Sequence, residues 1–256
     1  MDYNKNIWGG SLVKLSLNYL GYLRLKHVLR DLENIKGKIL EVGCGGGGFI
    51  GGVGVHRKDL ELFGIDINKK AIKSGSNQFK KIKFLAASIY KLPFKNNFFD
   101  AVIVEDVLEH LEQPEKAVSE ISRVLKKGGV LTSYIPLEGV WYGLHFWFEL
   151  LGWKYKEKFA GHIQKYKLNE LFKMYKKGNF RVEKYDFGPH LLGQIIDVGT
   201  YTYAGLMGNY EPGLEANIKN PFFILFKNII TVITNLESIL FAKIPGAGVY
   251  LKCVKK

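Results

Sequence analysis

Cysteine is scarce in this chain, and neither a sequence repeat nor a low-complexity linker is present. The two cysteines, Cys44 and Cys253, are far apart among 256 residues. They suggest neither a disulfide framework nor a cysteine-based metal site, which favours a reducing compartment. The first residues also lack the basic start, apolar run and cleavage site of a signal peptide. We therefore expect a cytoplasmic protein.

Acidic residues are outnumbered, with 24 Asp and Glu against 37 Lys and Arg, which gives a formal net charge of +13. Such an excess favours anionic partners, either nucleic acid or the anionic face of a membrane. A generally lysine-rich composition gives the same balance. Because no arginine-rich tract or aromatic–basic motif accompanies the charge, the sequence carries no specific signal for nucleic-acid binding.

Short apolar segments alternate with helical patterns such as 114–125, and they predict the strands of a sheet. Alternation of this kind is typical of an α/β fold with a doubly wound, mostly parallel, Rossmann-like sheet. We expect seven strands, at residues 38–42, 60–65, 82–86, 101–104, 130–135, 181–187 and 248–254.

Three regions follow from this pattern. Residues 1–36 are expected to contain an amphipathic helix over 11–32, with Ser11 as its N-cap. Residues 37–135 form the cofactor-binding half of the sheet. Residues 136–256 complete the sheet and carry two insertions on the substrate side, 136–165 and 188–246.

A glycine-rich segment, Glu41-Val-Gly-Cys-Gly-Gly-Gly-Gly48, follows the first strand. Glycines there allow a sharp turn and close approach of a ligand, and exposed amides at the following helix start favour an anionic group. Asp66 ends the second strand, where an acid is placed to bind ribose hydroxyls. The loop also fits the dinucleotide pattern, so by itself it permits a nicotinamide cofactor as well.

Three later motifs help to identify the cofactor that the loop would bind. They are Ser88-Ile-Tyr-Lys-Leu-Pro-Phe94, the stretch from Phe99 to His110, and Leu125-Lys-Lys-Gly-Gly-Val-Leu131. Together with the glycine loop, and in this order, they resemble the ubiquinone/menaquinone-type small-molecule methyltransferases of class I. The resemblance covers about residues 39–135, and its specificity comes from the whole series.

The resemblance implies S-adenosylmethionine as the cofactor. Its methionine end would lie at Glu41, Gly43, Cys44, Gly45 and Gly47, and its ribose at Asp66. Ile67 would pack on the adenine. Ser88 and Ile89 would meet the adenine amino group, where the family usually has an acidic residue.

Fewer residues can be assigned to binding the acceptor of the methyl group. Glu105 ends the fourth strand and is expected to face the methionine portion or the acceptor, and His110 matches the histidine of the family's strand-four motif. Further candidate bases are His145, His162 and His190. In-line methyl transfer requires no metal, and the sequence shows no cluster of metal ligands.

The two insertions contain the segments that we expect to choose the substrate. Residues 140–158 combine aromatic rings with lysines, which suits a membrane–water interface or an aromatic lid. Residues 221–242 predict a helix with one polar face. That helix would lie on an anionic membrane, within a segment extending to 244, or serve as a core or dimer-interface helix.

These observations predict a methyltransferase acting on a small or lipid-linked acceptor such as an isoprenoid, quinone or glycan. Peripheral attachment to a membrane would accompany that function, and the oligomeric state is left open. Two alternatives remain at this stage: a nicotinamide-dependent oxidoreductase or epimerase, and a non-catalytic S-adenosylmethionine-binding protein.

Overall fold

The computed structural model describes residues 8–207 and 220–256, and within them seven strands form one sheet. Residues 1–7 of the N-terminal region and 208–219 of the second insertion lie outside the described residues. The strands are β1 (Lys38–Val42), β2 (Glu61–Asp66), β3 (Lys83–Ala86), β4 (Phe99–Glu105), β5 (Leu125–Pro136), β6 (Phe180–Phe187) and β7 (Gly248–Lys255).

The strand order is β3-β2-β1-β4-β5-β7-β6. The first five strands pair in parallel, whereas β7 runs antiparallel to both of its neighbours, β5 and β6. The prediction of an α/β fold with a mostly parallel seven-stranded sheet is confirmed. The division into three regions stays a prediction.

Helices cover both faces of this sheet, as buried parallel strands require. On one side Ile39 of β1 packs with Leu25 and Ile50, and on the other Leu40 packs in the cluster that contains Val118. A 3-10 turn at Leu108–His110 follows β4. The helices are α1 (Tyr22–Asp31), α2 (Gly48–His56), α3 (Lys69–Gln78), α4 (Pro114–Val124), α5 (Leu144–Leu150), α6 (Tyr155–Ala160), α7 (Leu168–Lys177), α8 (Leu191–Met207) and α9 (Pro221–Leu240).

The N-terminal helix is shorter than its apolar periodicity predicts. Helix α1 begins at Tyr22 after Gly21, so the prediction of a helix from 11 with Ser11 as its N-cap is wrong. Residues before Gly21 cross the glycine loop instead, where Val13 N donates a hydrogen bond to Gly48 O at 3.0 Å. Contact with that loop competes with helical hydrogen bonding in this segment.

Helix α9 has its polar side turned toward the protein. Thr231, Asn235 and Ser238 are buried, and Asn235 Nδ2 donates to the carbonyl oxygens of Leu17 and Tyr19 at 2.7 and 3.2 Å. The opposite stripe is exposed; we call it the apolar face of α9, and it comprises Phe222, Leu225, Phe226, Ile229, Ile233, Leu236 and Leu240. None of the described helices has the length and apolar composition needed to span a membrane.

Candidate functional site

The glycine loop lies at the carboxyl end of β1 and needs its glycines for their backbone conformation. Gly43, Gly45 and Gly47 have φ of +72°, +52° and +79°. L side chains rarely adopt this region. At Gly43 a Cβ atom would also lie 2.5 Å from Cγ2 of Val107, the second residue after β4. The loop therefore passes close to the chain that leaves β4.

The amides of this loop are already paired within the protein. Gly45 N donates to Asp66 Oδ2 at 2.8 Å and Gly47 N to Cys44 O at 2.8 Å. Gly46 N and Gly48 N donate to Trp8 O and Gly9 O, each at 2.7 Å. The expectation of exposed amides that would bind an anion is therefore wrong. Two of these amides, those of Gly46 and Gly48, donate to the N-terminal segment.

Contact with the N-terminal segment explains two of the glycines in α2, Gly48 and Gly52. A Cβ atom at Gly48 would lie 1.9 Å from Ser11 O, and one at Gly52 would lie 2.6 Å from Val13 O. Each glycine in a helix costs up to about 1 kcal/mol relative to alanine. That cost allows the N-terminal segment to lie directly on the helix backbone.

Asp66 lies beside the loop at the end of β2. Its Oδ1 accepts from Asn68 N at 2.8 Å, while Asn68 itself caps α3 by accepting from the amides of Lys70 and Ala71. The neighbouring Ile67 is 66% exposed. An exposed apolar side chain next to an acid suits a ligand with a ring and hydroxyl groups.

The two residues predicted for the adenine amino group lie after β3. The Ser88 hydroxyl accepts a local hydrogen bond from Tyr90 N at 3.3 Å, and Ile89 is buried in the core. The side chain of Ser88 thus has a partner in its own turn. Its contact with a cofactor stays a prediction.

Glu41 is buried under the loop and turned toward α2. Its Oε2 accepts from Ile50 N at 3.1 Å. Burial raises the pKa of Glu41 to about 8, with the Asp66 charge acting in the same direction and the hydrogen bond from Ile50 against it. The neighbouring Cys44 is also buried, and burial raises its pKa well above the ordinary range. Neither side chain lies open on the surface of the loop.

Glu105 closes β4 opposite Tyr134 of β5. Its Oε2 is buried and has no hydrogen-bond partner among the described residues. Burial raises the pKa of this carboxyl well above its usual range, although the charge of Arg24 opposes the shift. A carboxyl oxygen that is buried without a partner at a strand end is a candidate contact for a bound ligand.

His110 lies in the 3-10 turn after β4, where the structure brings it beside His162. The ring centroids are 4.9 Å apart, and His110 Nδ1 lies 3.1 Å from Gly161 O. Burial and the nearby His162 lower the pKa of His110, which keeps the ring neutral near pH 7. Two of the predicted candidate bases therefore share one site.

A chain of buried and partly buried ionisable side chains continues from His162. Its Nδ1 lies 2.9 Å from Glu138 Oε1, and Lys156 Nζ contacts both Glu138 at 2.8 Å and Asp197 at 2.6 Å. His145 Nε2 completes the chain, 2.7 Å from Asp197. Burial by itself would raise the pKa of Glu138, but the charge of Lys156 and the hydrogen bond with His162 lower it to about 2.

His190 is not part of this chain. Its Nε2 lies 2.9 Å from Ile244 O, and its ring contacts Phe241. Glu138, Lys156 and Asp197 were not among the predicted site residues, because nothing in their local sequence marks them. Glu109 was not among the predicted site residues either, and it is fully buried.

Comparisons with known proteins find similarity to methyltransferases over part of the chain. Residues 40–133 fit the family model described as "Methyltransferase domain". The chain is 36% identical over 120 residues to sterol 24-C-methyltransferase of Gibberella zeae, and 32% identical over 119 residues to ubiquinone biosynthesis O-methyltransferase of Alkalilimnicola ehrlichii. These matches cover 43% and 44% of this chain but only 31% and 47% of the relatives.

A solved structure matches over nearly the whole chain. It is a putative sarcosine dimethylglycine methyltransferase from Galdieria sulphuraria, with a TM-score of 0.63 and 16% identity. The match covers 98% of this chain and 96% of that one. At this identity the likeness establishes a shared fold and no more.

Proposed function

Because residues 40–133 fit the family model described as "Methyltransferase domain", we propose that the protein transfers a methyl group from S-adenosylmethionine to a small or lipid-linked acceptor. The classes of acceptor that we consider are isoprenoid, quinone and glycan. The proposal rests on the family match together with three features along one edge of the sheet. These are the glycine loop with its positive φ angles, Asp66 and the exposed Ile67.

The residues at this edge fit the cofactor. Asp66 would hold the ribose, Ile67 would pack on the adenine, and the loop would take the methionine end. When bound, S-adenosylmethionine supplies a methyl group on a sulfonium. Glu105, whose Oε2 has no hydrogen-bond partner among the described residues, lies at the neighbouring strand end as an acceptor for a polar group of cofactor or substrate.

The paired loop amides argue against a nicotinamide dinucleotide. A pyrophosphate at a Rossmann loop is bound by free backbone amides at the helix start. Here the amides of residues 45–48 donate to Asp66, Trp8, Cys44 and Gly9. A dinucleotide would have to displace the N-terminal segment for its pyrophosphate to reach the amides of Gly46 and Gly48. S-adenosylmethionine carries no phosphate, and its carboxylate would need donors other than these amides.

An apolar acceptor is supported by the exposed surface of the two insertions. The apolar face of α9 is exposed along its length, with Leu225 at 58%, and Trp141 before α5 is 70% exposed. Exposed apolar surface of this extent marks an interaction site. Lys154 and Lys158, which lie beside Phe148 and Leu151, add positive charge next to the aromatic rings.

We take an anionic membrane surface as the partner of this apolar surface. The chain has a net charge of +13, and aromatic rings beside lysines suit the interface between lipid and water. Attachment there would bring the protein to a lipid-linked acceptor. The segments concerned are 140–158 and 221–244.

Transfer of labelled methyl groups tests the proposed reaction. Purified protein would be incubated with radiolabelled S-adenosylmethionine and a total cell extract, followed by separation into organic-soluble, small polar, RNA and protein fractions. Label in the organic-soluble or small polar fraction is the expected result. Label confined to RNA or protein contradicts the proposed acceptor class, and cofactor binding without transfer to any fraction contradicts catalysis.

Binding calorimetry with a matched pair of variants tests the cofactor site. Asp66→Asn removes the charge expected to hold the ribose, and a lost hydrogen bond to a charged group is worth about 1.5–3 kcal/mol, or roughly ten- to a hundredfold in affinity. Asp59→Asn makes the same change at a surface acid paired with Arg57 and should bind normally. Equal binding by wild type and both variants, or tighter binding of NAD than of S-adenosylmethionine, would overturn the assignment.

A further inference from the structure

Glu109, His110 and His162 bring three potential metal ligands together. One carboxylate oxygen of Glu109 and one ring nitrogen of each histidine lie within 4.8 Å of one another. We propose that these three side chains bind a divalent transition-metal ion. The site goes beyond the proposed function, which requires no metal.

Glu109 provides the observation that points to a ligand. Its side chain is fully buried, and neither carboxyl oxygen has a hydrogen-bond partner in the part of the chain that the structure describes. An isolated buried carboxyl group of this kind costs free energy unless a partner compensates for it. One of its oxygens lies 4.0 Å from His110 Nε2. A cation between them would supply the missing partner.

Both histidines are held in the orientation that metal ligation uses. His110 Nδ1 faces Gly161 O at 3.1 Å, and a carbonyl oxygen can only accept, so this nitrogen carries the hydrogen. His162 Nδ1 faces Glu138 Oε1 at 2.9 Å, and Glu138 is also paired with Lys156. With the hydrogen on Nδ1, Nε2 is the nitrogen of each ring that can act as a metal ligand. Carbonyl and carboxylate partners at the other ring nitrogen are what ligating histidines usually have.

Backbone hydrogen bonds fix the approach of the two segments. Ile163 N and Gln164 N donate to Glu109 O at 2.9 and 3.0 Å, and Gln164 Nε2 donates to Leu111 O at 2.9 Å. The loop that carries His162 is thus joined to the turn that carries Glu109 and His110. The three side chains converge because of this pairing, independently of any ligand.

The size of the cluster suits a small ion. An ion equidistant from three atoms at the limiting separation of 4.8 Å would lie about 2.8 Å from each, and zinc has bonds of about 2.0–2.2 Å to such ligands. Each ligand would need to move by less than about 1 Å. Two imidazoles and one carboxylate favour Zn²⁺, Fe²⁺ or Co²⁺ over Mg²⁺ and Ca²⁺, which prefer oxygen ligands.

Three protein ligands leave at least one coordination position for water or another oxygen. The cluster begins four residues after Glu105, at the edge of the sheet where parallel α/β folds bind their ligands. A hydroxyl or carbonyl oxygen of an acceptor is the class of ligand that such an open position takes.

Direct metal titration tests the site without cofactor or acceptor, so its result is independent of the proposed function. Protein without a polyhistidine tag would be stripped with a chelator and titrated with Co²⁺, with visible absorption and calorimetry as readouts, and then with Zn²⁺. We expect one equivalent to bind, with ligand-field absorption in the visible range. Zn²⁺ should displace Co²⁺, and excess Mg²⁺ should not.

Variants identify where the ion binds. Glu109→Gln and His162→Gln should each lower Co²⁺ affinity by at least about a hundredfold, since even second-shell changes cost about ten- to a hundredfold. His190→Gln, which changes a buried histidine outside the cluster, should bind Co²⁺ as the wild type does. Circular dichroism would establish that each variant is folded, and His110→Gln supplies a second ligand change if one of them is not. Absence of binding by the wild type, or equal binding by folded ligand variants, would overturn the proposal.

Discussion

Arg24 donates a hydrogen bond to the carboxylate of Asp106, and so joins the N-terminal helix to the chain that leaves β4. The guanidinium also lies over the ring of Tyr134, 4.3 Å from its centroid. Asp106 itself has a left-handed conformation, with φ of +50°, which Asp tolerates better than most residues. One ion pair therefore ties α1 to the strand end that carries Glu105.

A double-mutant cycle on Arg24→Leu and Asp106→Asn measures the strength of this tie. Both side chains are about one-third exposed, so solvent screening reduces the coupling below that of a fully buried pair. We expect a coupling of about 1–2 kcal/mol in the free energy of unfolding, measured by urea denaturation. Additive single effects would mean that the contact contributes nothing to stability.

Gly48→Ala tests the contact between the N-terminal segment and α2. The new Cβ atom would lie 1.9 Å from Ser11 O, so the segment must move away. Overpacking of this kind costs about 1–3 kcal/mol in the free energy of unfolding, and we expect cofactor affinity to fall as well.

Gly199→Ala is the matched control for that change. Gly199 lies in α8, where a Cβ atom would meet nothing within 4 Å. Alanine should leave the protein as stable or raise its stability by up to about 1 kcal/mol. If both variants behave alike, the N-terminal segment does not lie on the glycine loop in solution.

Glu41 should make the stability of the cofactor-free protein depend on pH. Its pKa is about 8 in the folded protein against an ordinary value of 4.5, because burial favours the neutral acid. This contribution is fully present below pH 4.5 and is lost as pH rises through 8. The total loss is on the order of a few kcal/mol.

Glu41→Gln removes this titration. Urea denaturation below pH 4.5 and above pH 8 should show a smaller fall in the free energy of unfolding for the variant than for the wild type. Glu61→Gln, a change at a glutamate whose side chain is 41% exposed, should keep the wild-type fall. Parallel curves for wild type and Glu41→Gln would contradict the buried neutral carboxyl.

Sedimentation with lipid vesicles tests the apolar face of α9. Phe226→Glu places a charge on a side chain that is 61% exposed, and burial of such a side chain contributes about 1.5–3 kcal/mol. We expect binding to vesicles with anionic lipid to fall by at least about tenfold. Val55→Glu makes a similar change on α2, away from that face, and should bind as the wild type does.

Other outcomes of that experiment are equally informative. Binding of wild type to neutral and anionic vesicles alike would mean that charge makes no contribution. Dimers in analytical ultracentrifugation that Phe226→Glu abolishes, with no vesicle binding, would assign the face to a second copy of the chain.

The sheet could be predicted from the sequence because buried parallel strands leave continuous apolar segments between polar turns. Six of the seven strands lie within two residues of their predicted bounds, and β5 begins five residues earlier than predicted. The segment before Gly21 could not be predicted, since its apolar spacing fits a helix equally well. Its hydrogen bonds go to the glycine loop, which local periodicity does not reveal.

Only the part of the candidate site whose residues lie close together in the sequence could be predicted. The glycine loop and Asp66 come from one strand–loop–helix–strand unit, and their spacing identifies them. Glu109 and His162 meet because two distant segments pair their backbones. The polar stripe of α9 was visible in the sequence, but the usual arrangement places the apolar side inward, and here Thr231 and Asn235 face inward instead.

Because the polar side of α9 faces the protein, the direction of its apolar face determines how the protein would contact a flat surface such as a membrane. Hydrogen bonds such as those from Asn235 to Leu17 and Tyr19 are directional, and each contributes only about 1 kcal/mol. They fix the rotation of the helix about its own axis, and the apolar face of α9 stays exposed. A protein attached through that area would approach a flat surface in one orientation, with the N-terminal segment that covers the glycine loop tied to the same helix. Cofactor exchange and surface attachment would then act on the same short stretch of chain.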